Sequence, residues 1–153
     1  MIVIPSVDIR GGKCVRLSQG RPDEETVYGE DPVAMAMRWE SEGAELLHVV
    51  DLDGAFEGRP VNVEIVRRIV GAVGVPVQLG GGLRGRASVE QALGLGVSRV
   101  ILGTTAVREP DLVRRLCEEF PGRIMVSIDA RHGRATTSGW LENTSVDAVE
   151  LAG

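Results

Sequence analysis

Aromatic residues are scarce in this chain, at 3% of 153 positions. An aromatic core is therefore excluded, and the interior has to be aliphatic. Cysteine is nearly absent as well. Cys14 and Cys117 stand far apart, form no metal-ligand spacing, and read as reduced thiols rather than a disulfide framework. No apolar run approaches the roughly 20 residues of a membrane-spanning helix. The first residues lack a basic stretch followed by a long apolar one, so no secretory signal is read and a cytoplasmic location is expected. Positive charge is in deficit, with 17 Lys and Arg against 22 Asp and Glu, a net charge of −5. A general nucleic-acid binder is disfavoured by that balance.

What the chain does hold is 43% hydrophobic residues, 20 glycines and one internal repeat. The first copy is Ser6-Val7-Asp8-Ile9-Arg10-Gly11-Gly12-Lys13; the second is Ser127-Ile128-Asp129-Ala130-Arg131-His132-Gly133-Arg134. The offset is 129 − 8 = 121 residues. Each copy follows a short apolar run, and reads as a strand that ends in a carboxylate and enters a glycine-containing loop. Serine, aspartate, arginine and glycine recur in register. A duplicated fold is implied, with residues 1–120 as a first half and 121–153 as the start of a second, within one domain.

Between the copies, β and α signals alternate. Strands are expected over residues 2–8, 46–52, 75–79, 99–102 and 124–129, with Pro5 awkwardly placed for a central strand. Residues 9–30 read as one long polar connection, the kind that often serves as a functional lid. Asp31-Pro32 is a helix start, with Asp as N-cap and Pro at the first helical position. Val63, Val66, Ile69, Val70 and Val73 fall on one helical face, and Leu112, Val113, Leu116, Cys117 and Phe120 on another. Further helices are expected over residues 87–95 and from Thr144 onward. Residues 130–143 read as a second long loop, and residues 131–143 and 11–30 are expected to be the most mobile segments. Repeated β-α alternation predicts a parallel sheet with crossover helices. Two architectures compete: a five-stranded doubly wound sheet, and a (β/α)8 barrel of which about five units are present. The repeat favours the barrel, because strands one and five of an eight-stranded ring face each other. A partial ring would leave open edges at strand one and at its last strand, and would favour self-association or pairing with a C-terminal half.

The distinctive residues gather at strand carboxyl ends, where ligands bind in parallel α/β folds. They are Asp8, Asp51, Asp53, Gly80-Gly81-Gly82, Gly103-Thr104 and Asp129. Taken singly, an aspartate there reads as a loop or helix cap. Asp8 and Asp129, equivalent in the repeat, read together as a general base and a general acid. The two glycine loops read as a phosphate cup, since backbone N–H groups approach an anion closely where no Cβ intervenes. By the repeat, a second cup would fall near 81 + 121 = 202, and a ligand with a phosphate at each end would suit the pair.

These stretches, with Gly12-Lys13-Cys14-Val15-Arg16-Leu17, Val27-Tyr28-Gly29, Leu47-His48-Val49-Val50-Asp51-Leu52-Asp53-Gly54, Gly80-Gly81-Gly82-Leu83-Arg84 and Gly139-Trp140, give the chain a family likeness. It resembles the phosphoribosylformimino aminoimidazole carboxamide ribotide isomerases of histidine biosynthesis, two-phosphate (β/α)8 barrels made of duplicated halves. The resemblance implies an Amadori rearrangement of an aminoaldose to an aminoketose, on a doubly phosphorylated ribotide, without metal or cofactor. It implies that Asp8 moves a proton from the sugar C2 and that Asp129 helps open the ribose ring. Gly81, Gly82, Gly103 and Thr104 would hold one phosphate, and Arg84 and Trp140 would touch the substrate. His48 either reaches the pocket or packs within the barrel. The sister cyclase shares the aspartate pair, but the stretches around Asp51 and Trp140 look like the isomerase. A bifunctional histidine and tryptophan pathway isomerase, a non-catalytic half-barrel that needs a partner, and a doubly wound phospholigand-binding module stay open as alternatives.

Overall fold

The computed structural model describes residues 1–18, 24–137 and 142–152. Its main sheet has seven strands, β1 (Ser6–Arg10), β2 (Lys13–Leu17), β3 (Glu25–Gly29), β4 (Leu47–Asp51), β5 (Val77–Gly80), β6 (Arg99–Leu102) and β7 (Ile124–Val126), in the spatial order β3-β2-β1-β4-β5-β6-β7. β1, β4, β5, β6 and β7 are parallel and follow chain order. That sequence lacks the reversal of strand order that marks a doubly wound sheet.

Helices α1 (Pro32–Ser41), α2 (Leu52–Glu57), α3 (Val63–Ala72), α4 (Arg86–Gly94), α5 (Thr104–Arg108) and α6 (Pro110–Glu119) connect these strands. α1 starts as expected, with the Asp31 side chain accepting from Val33 N at 2.9 Å and Pro32 in the first turn. Three antiparallel strands follow β7: β8 (Ala130–Arg131), β9 (Arg134–Thr137) and β10 (Glu142–Asp147). The chain then enters α7 (Ala148–Ala152).

Several expectations are corrected. The first strand begins after Pro5 and continues through Asp8 to Arg10. Pro5 contributes only its carbonyl, which accepts from His48 N at 3.0 Å, because proline has no N–H to add to the ladder. Residues 9–30 are not one long loop. Gly11 and Gly12, at φ 55° and 79°, make a two-residue turn that folds β2 back on β1. Positive φ at both central residues is the geometry whose twist matches paired strands. β2 and β3 thus cover the edge of β1 that was expected to stand open. The described residues of 130–143 are likewise mostly strand. Thr144 lies in β10 rather than opening a helix, and its hydroxyl donates to the Ala135 carbonyl at 2.7 Å. The short helices α2 and α5 were not anticipated; each is under two turns, too short for a periodic signal.

The parallel strands β1, β4, β5 and β6 turn alternate side chains to opposite faces. Val7, Ile9, Leu47, Val49, Val77, Leu79, Val100 and Leu102 are buried. They pack with Ala36 of α1, Val66 and Ile69 of α3, Val89 and Ala92 of α4, and Val113 and Leu116 of α6 in one core. Each such side chain contributes about 1.5–3 kcal/mol by leaving water. The intervening residues Ser6, Asp8, His48, Val50, Gln78, Gly80, Arg99 and Ile101 face the other way. No described helix is long and apolar enough to cross a membrane.

Candidate active site

The face opposite the helices is built in layers set by strand register. Ser6 stands beside His48, His48 beside Gln78, and Gln78 beside Arg99. One step toward the strand carboxyl ends lie Asp8, Val50, Gly80 and Ile101. A cleft of about 370 Å³ opens above these layers. Asp8, His48, Gly81, Gly82, Arg84, Gly103, Thr104 and Asp129 all line it. Of the residues singled out from the sequence for a site, only Trp140 is unplaced, because it lies outside the described residues.

Asp8 sits inside β1, half-buried, with the Ser6 hydroxyl donating to its Oδ1. Asp129 follows β7 and is exposed. Its backbone is fixed instead: its carbonyl accepts from Thr136 N at 2.7 Å and Thr136 Oγ1 at 3.2 Å. Thr136 is itself buried and lines the cleft. The two carboxylates thus reach one cavity from opposite ends of the parallel strand array.

His48 satisfies both of its alternatives, since it is half-buried and also lines the cleft. Gln78 Nε2 lies 3.2 Å from its Nδ1. Burial holds the imidazole below the usual histidine range, and the nearby Asp8 charge opposes that shift.

The glycine loops divide into two kinds. A Cβ on Gly81, at φ 100°, would fall 2.1 Å from the Asp51 carbonyl oxygen. One on Gly82 would fall 2.6 Å from the Arg59 carbonyl oxygen. Both positions therefore demand glycine for close backbone packing, whatever else they bind. Gly103 meets only the Ser127 carbonyl at 3.8 Å, an ordinary contact. Thr105, buried at the start of α5, donates from Oγ1 to the Leu83 carbonyl at 3.0 Å and ties the two loops together. Arg84 lies across Gly58, where a Cβ would meet its guanidinium at 2.4 Å. Gly58 ends α2 in the left-handed conformation, so one glycine serves both the cap and the arginine.

Asp51 and Asp53, flagged for their position at a strand end, are structural. Asp51 is 3% exposed and accepts from Gly54 N, Val61 N, Asn62 N and Asn62 Nδ2 at 2.7–3.0 Å. Asp53 accepts from Gly11 N and Asn62 Nδ2, both at 2.8 Å. Neither lines the cleft. Asp51 has the helix-cap role of such aspartates, as N-cap of α2, while Asp53 ties the β1–β2 turn to Asn62. Conversely, Ser6, Gln78, Arg99, Ser127 and Thr136 were missed; Ser6, Ser127 and Thr136 line the cleft, and Gln78 and Arg99 lie in the layer beneath it. Ser6, Gln78 and Arg99 follow from the alternation: Ser-Val-Asp-Ile, Val-Gln-Leu-Gly and Arg-Val-Ile-Leu each place polar residues on one face of a strand.

The chain is similar to a 1-(5-phosphoribosyl)-5-((5-phosphoribosylamino)methylideneamino) imidazole-4-carboxamide isomerase of a Synechocystis species, 59% identical over 152 residues, 99% of this chain and 59% of that protein. The identically named protein of Desulfatibacillum aliphaticivorans is 57% identical over 99% of this chain and 61% of its own length. That of Geotalea daltonii is 54% identical over 99% and 62%. The chain thus spans about three-fifths of the length of these relatives. The model of the histidine biosynthesis protein family matches residues 2–153, and the chain belongs to that family.

Proposed function

We propose that this cleft is one side of the active site of a ribotide isomerase in histidine biosynthesis. The observation that carries the reading is that Asp8 and Asp129, repeat-equivalent carboxylates, line one cavity together with both glycine loops. The relatives' names and the sequential order of the parallel strands support it. The chain is then part of a (β/α)8 barrel in the cytoplasm, residues 1–120 forming its first half and 121–153 entering its second.

In this mechanism the substrate is an aminoaldose ribotide with a phosphate at each end. Asp129, as general acid, protonates the ribose ring oxygen while the C1–O bond breaks and the nitrogen lone pair forms a protonated imine at C1. Asp8, as general base, removes the proton from C2, and the C2–H electrons move to form an enolamine. Tautomerisation with loss of the C2 hydroxyl proton and protonation at C1 leaves the aminoketose. Atoms and electrons balance without a co-reactant. The Ser6 hydroxyl bonded to Asp8 orients that carboxylate. Gly82, Gly103 and Thr104 hold one phosphate, Arg84 and Trp140 contact the substrate, and the second phosphate belongs to residues beyond this chain. Binding through both ends positions C2 over Asp8.

In the whole isomerase that carries this chain, Asp8→Asn and Asp129→Asn should each lower turnover roughly a hundredfold or more, the usual size of lost general catalysis. Near-normal turnover in both variants would refute the assignment. In the chain itself, inorganic phosphate should shift the amide resonances of Gly82, Gly103 and Thr104 ahead of all others.

A further inference from the structure

His48, Gln78 and Arg99 form a polar row across three adjacent strands, at one level of the sheet face below the cleft. The row has a direction. Arg99 Nε can only donate, and it donates to Gln78 Oε1 at 2.8 Å. That contact fixes which way the Gln78 amide points, because the reversed amide would set an NH2 group against the arginine. The Gln78 Nε2 hydrogens then face His48 Nδ1 at 3.2 Å, so Nδ1 accepts. A neutral imidazole whose Nδ1 accepts carries its proton on Nε2.

We propose that Gln78 and Arg99 are positioning residues that hold His48 neutral, with its proton on Nε2, as a hydrogen-bond donor to an oxygen-bearing ligand in the cleft beside Asp8. Protonating Nδ1 would turn two donors toward each other, and the amide cannot rotate to relieve this without losing Arg99. Gln78 is 7% exposed, so water does not readily substitute for either partner. Burial acts in the same sense on the imidazole.

The charged groups that bear on His48 are few. Asp8 approaches from β1 and favours the imidazolium. Arg99 opposes it from β6 through Gln78. Arg84 and Asp129 line the same cleft from the flanking loops. The consequence concerns Asp8: an imidazolium alongside would pair with the carboxylate and make it a poorer base. A neutral donor binds a ligand oxygen and leaves that carboxylate its basicity. The use of the donor rests on the isomerase reading; the proton's location does not.

The test is a long-range 1H–15N spectrum of the labelled chain near neutral pH. His48 and His132 are the only imidazoles, so assignment by single substitution is direct. The expected result is a pyrrole-type Nε2 and a pyridine-type Nδ1 for His48. Gln78→Glu, close to isosteric, gives Nδ1 an acceptor and should convert His48 to the doubly protonated form. Arg99→Met frees the amide to turn and should mix the tautomers. A proton on Nδ1 in the native chain, or a His48 signal unchanged by Gln78→Glu in a protein whose amide spectrum shows it folded, would overturn the proposal. No substrate is needed, so the outcome is separate from that of the isomerase assay.

Discussion

At residues 8–15 and at residues 129–136 the chain makes the same hairpin twice, 121 positions apart. Arg10 pairs with Lys13 and Ile9 with Cys14 in the first; Arg131 pairs with Arg134 and Ala130 with Ala135 in the second. Both turns have positive φ at both central residues, 55° and 79° at Gly11-Gly12, 51° and 78° at His132-Gly133. The surroundings differ. β1 has β4 on its other side, so the first hairpin extends the main sheet. The second belongs to a separate three-stranded sheet, in which β8 pairs only with β9 among the described residues. The first is also clamped from outside, by Asp53 on Gly11 N and by the Arg10 guanidinium over the Phe56 ring at 5.6 Å. A repeated local sequence thus repeats the turn, while the neighbours decide whether the hairpin joins the core of the fold.

The largest expected effect tests that clamp. Asp53→Ala removes the acceptor of Gly11 N and of one Asn62 hydrogen bond, and should lower unfolding free energy by about 2 kcal/mol in a urea titration. The second hairpin is held differently, by Ala148 N donating to the Gly133 carbonyl at 3.0 Å and by β10 alongside β9. Next come Gly12→Ala and Gly133→Ala, which force alanine into the left-handed region at a cost of roughly 1 kcal/mol or more each. Gly12→Ala should shift the global midpoint. Gly133→Ala should instead raise amide exchange in β8 and β9 and leave the midpoint nearly unchanged, because local openings there precede global unfolding. Equal midpoint shifts would erase the distinction between the two copies.

A smaller, pH-dependent difference follows from Cys14, whose repeat equivalent is Ala135, since 14 + 121 = 135. Burial, with Asp31 and Asp8 adding, raises the Cys14 thiol from 9.0 to about 11. The folded state then holds its proton where the unfolded state releases it. Stability should fall as pH rises from 9.0 toward about 11, and Cys14→Ala should flatten that slope. The smallest effect is His132→Gly, which relieves a non-glycine residue at φ 51° but enlarges the unfolded ensemble. A gain of under about 1 kcal/mol is expected, visible as slower exchange in β9 rather than in the melting curve.

Much of this was legible before any coordinates. The β-α alternation of the parallel strands, the cap at Asp31, the aliphatic stripes of α3 and α6, and part of the set of residues that line the cleft follow from periodicity, from capping chemistry and from the repeat. The misses have physical reasons. Residues 9–30 read as loop because β3 is almost wholly exposed, so no buried face marks it as a strand. Asp51 and Asp53 read like Asp8 because a carboxylate after an apolar run looks the same whether it caps a helix or faces a cavity. Only their partners, backbone amides for one pair and an open cleft for the other, tell them apart.

The sequence by itself determined the alternation of strand and helix, the helix start at Asp31 and the equivalence of Asp8 with Asp129. Each rests on local sterics or on a periodicity that nearby residues complete. The tertiary structure alone decided three things: that Gly81 must be glycine because the Asp51 carbonyl lies against it, that the first hairpin closes the edge of β1, and that Gln78 stands between Arg99 and His48. The contacts of Gly81 with Asp51 and of Gln78 with His48 and Arg99 join residues 21 or more positions apart, and strand register, which no local pattern encodes, brings them within reach.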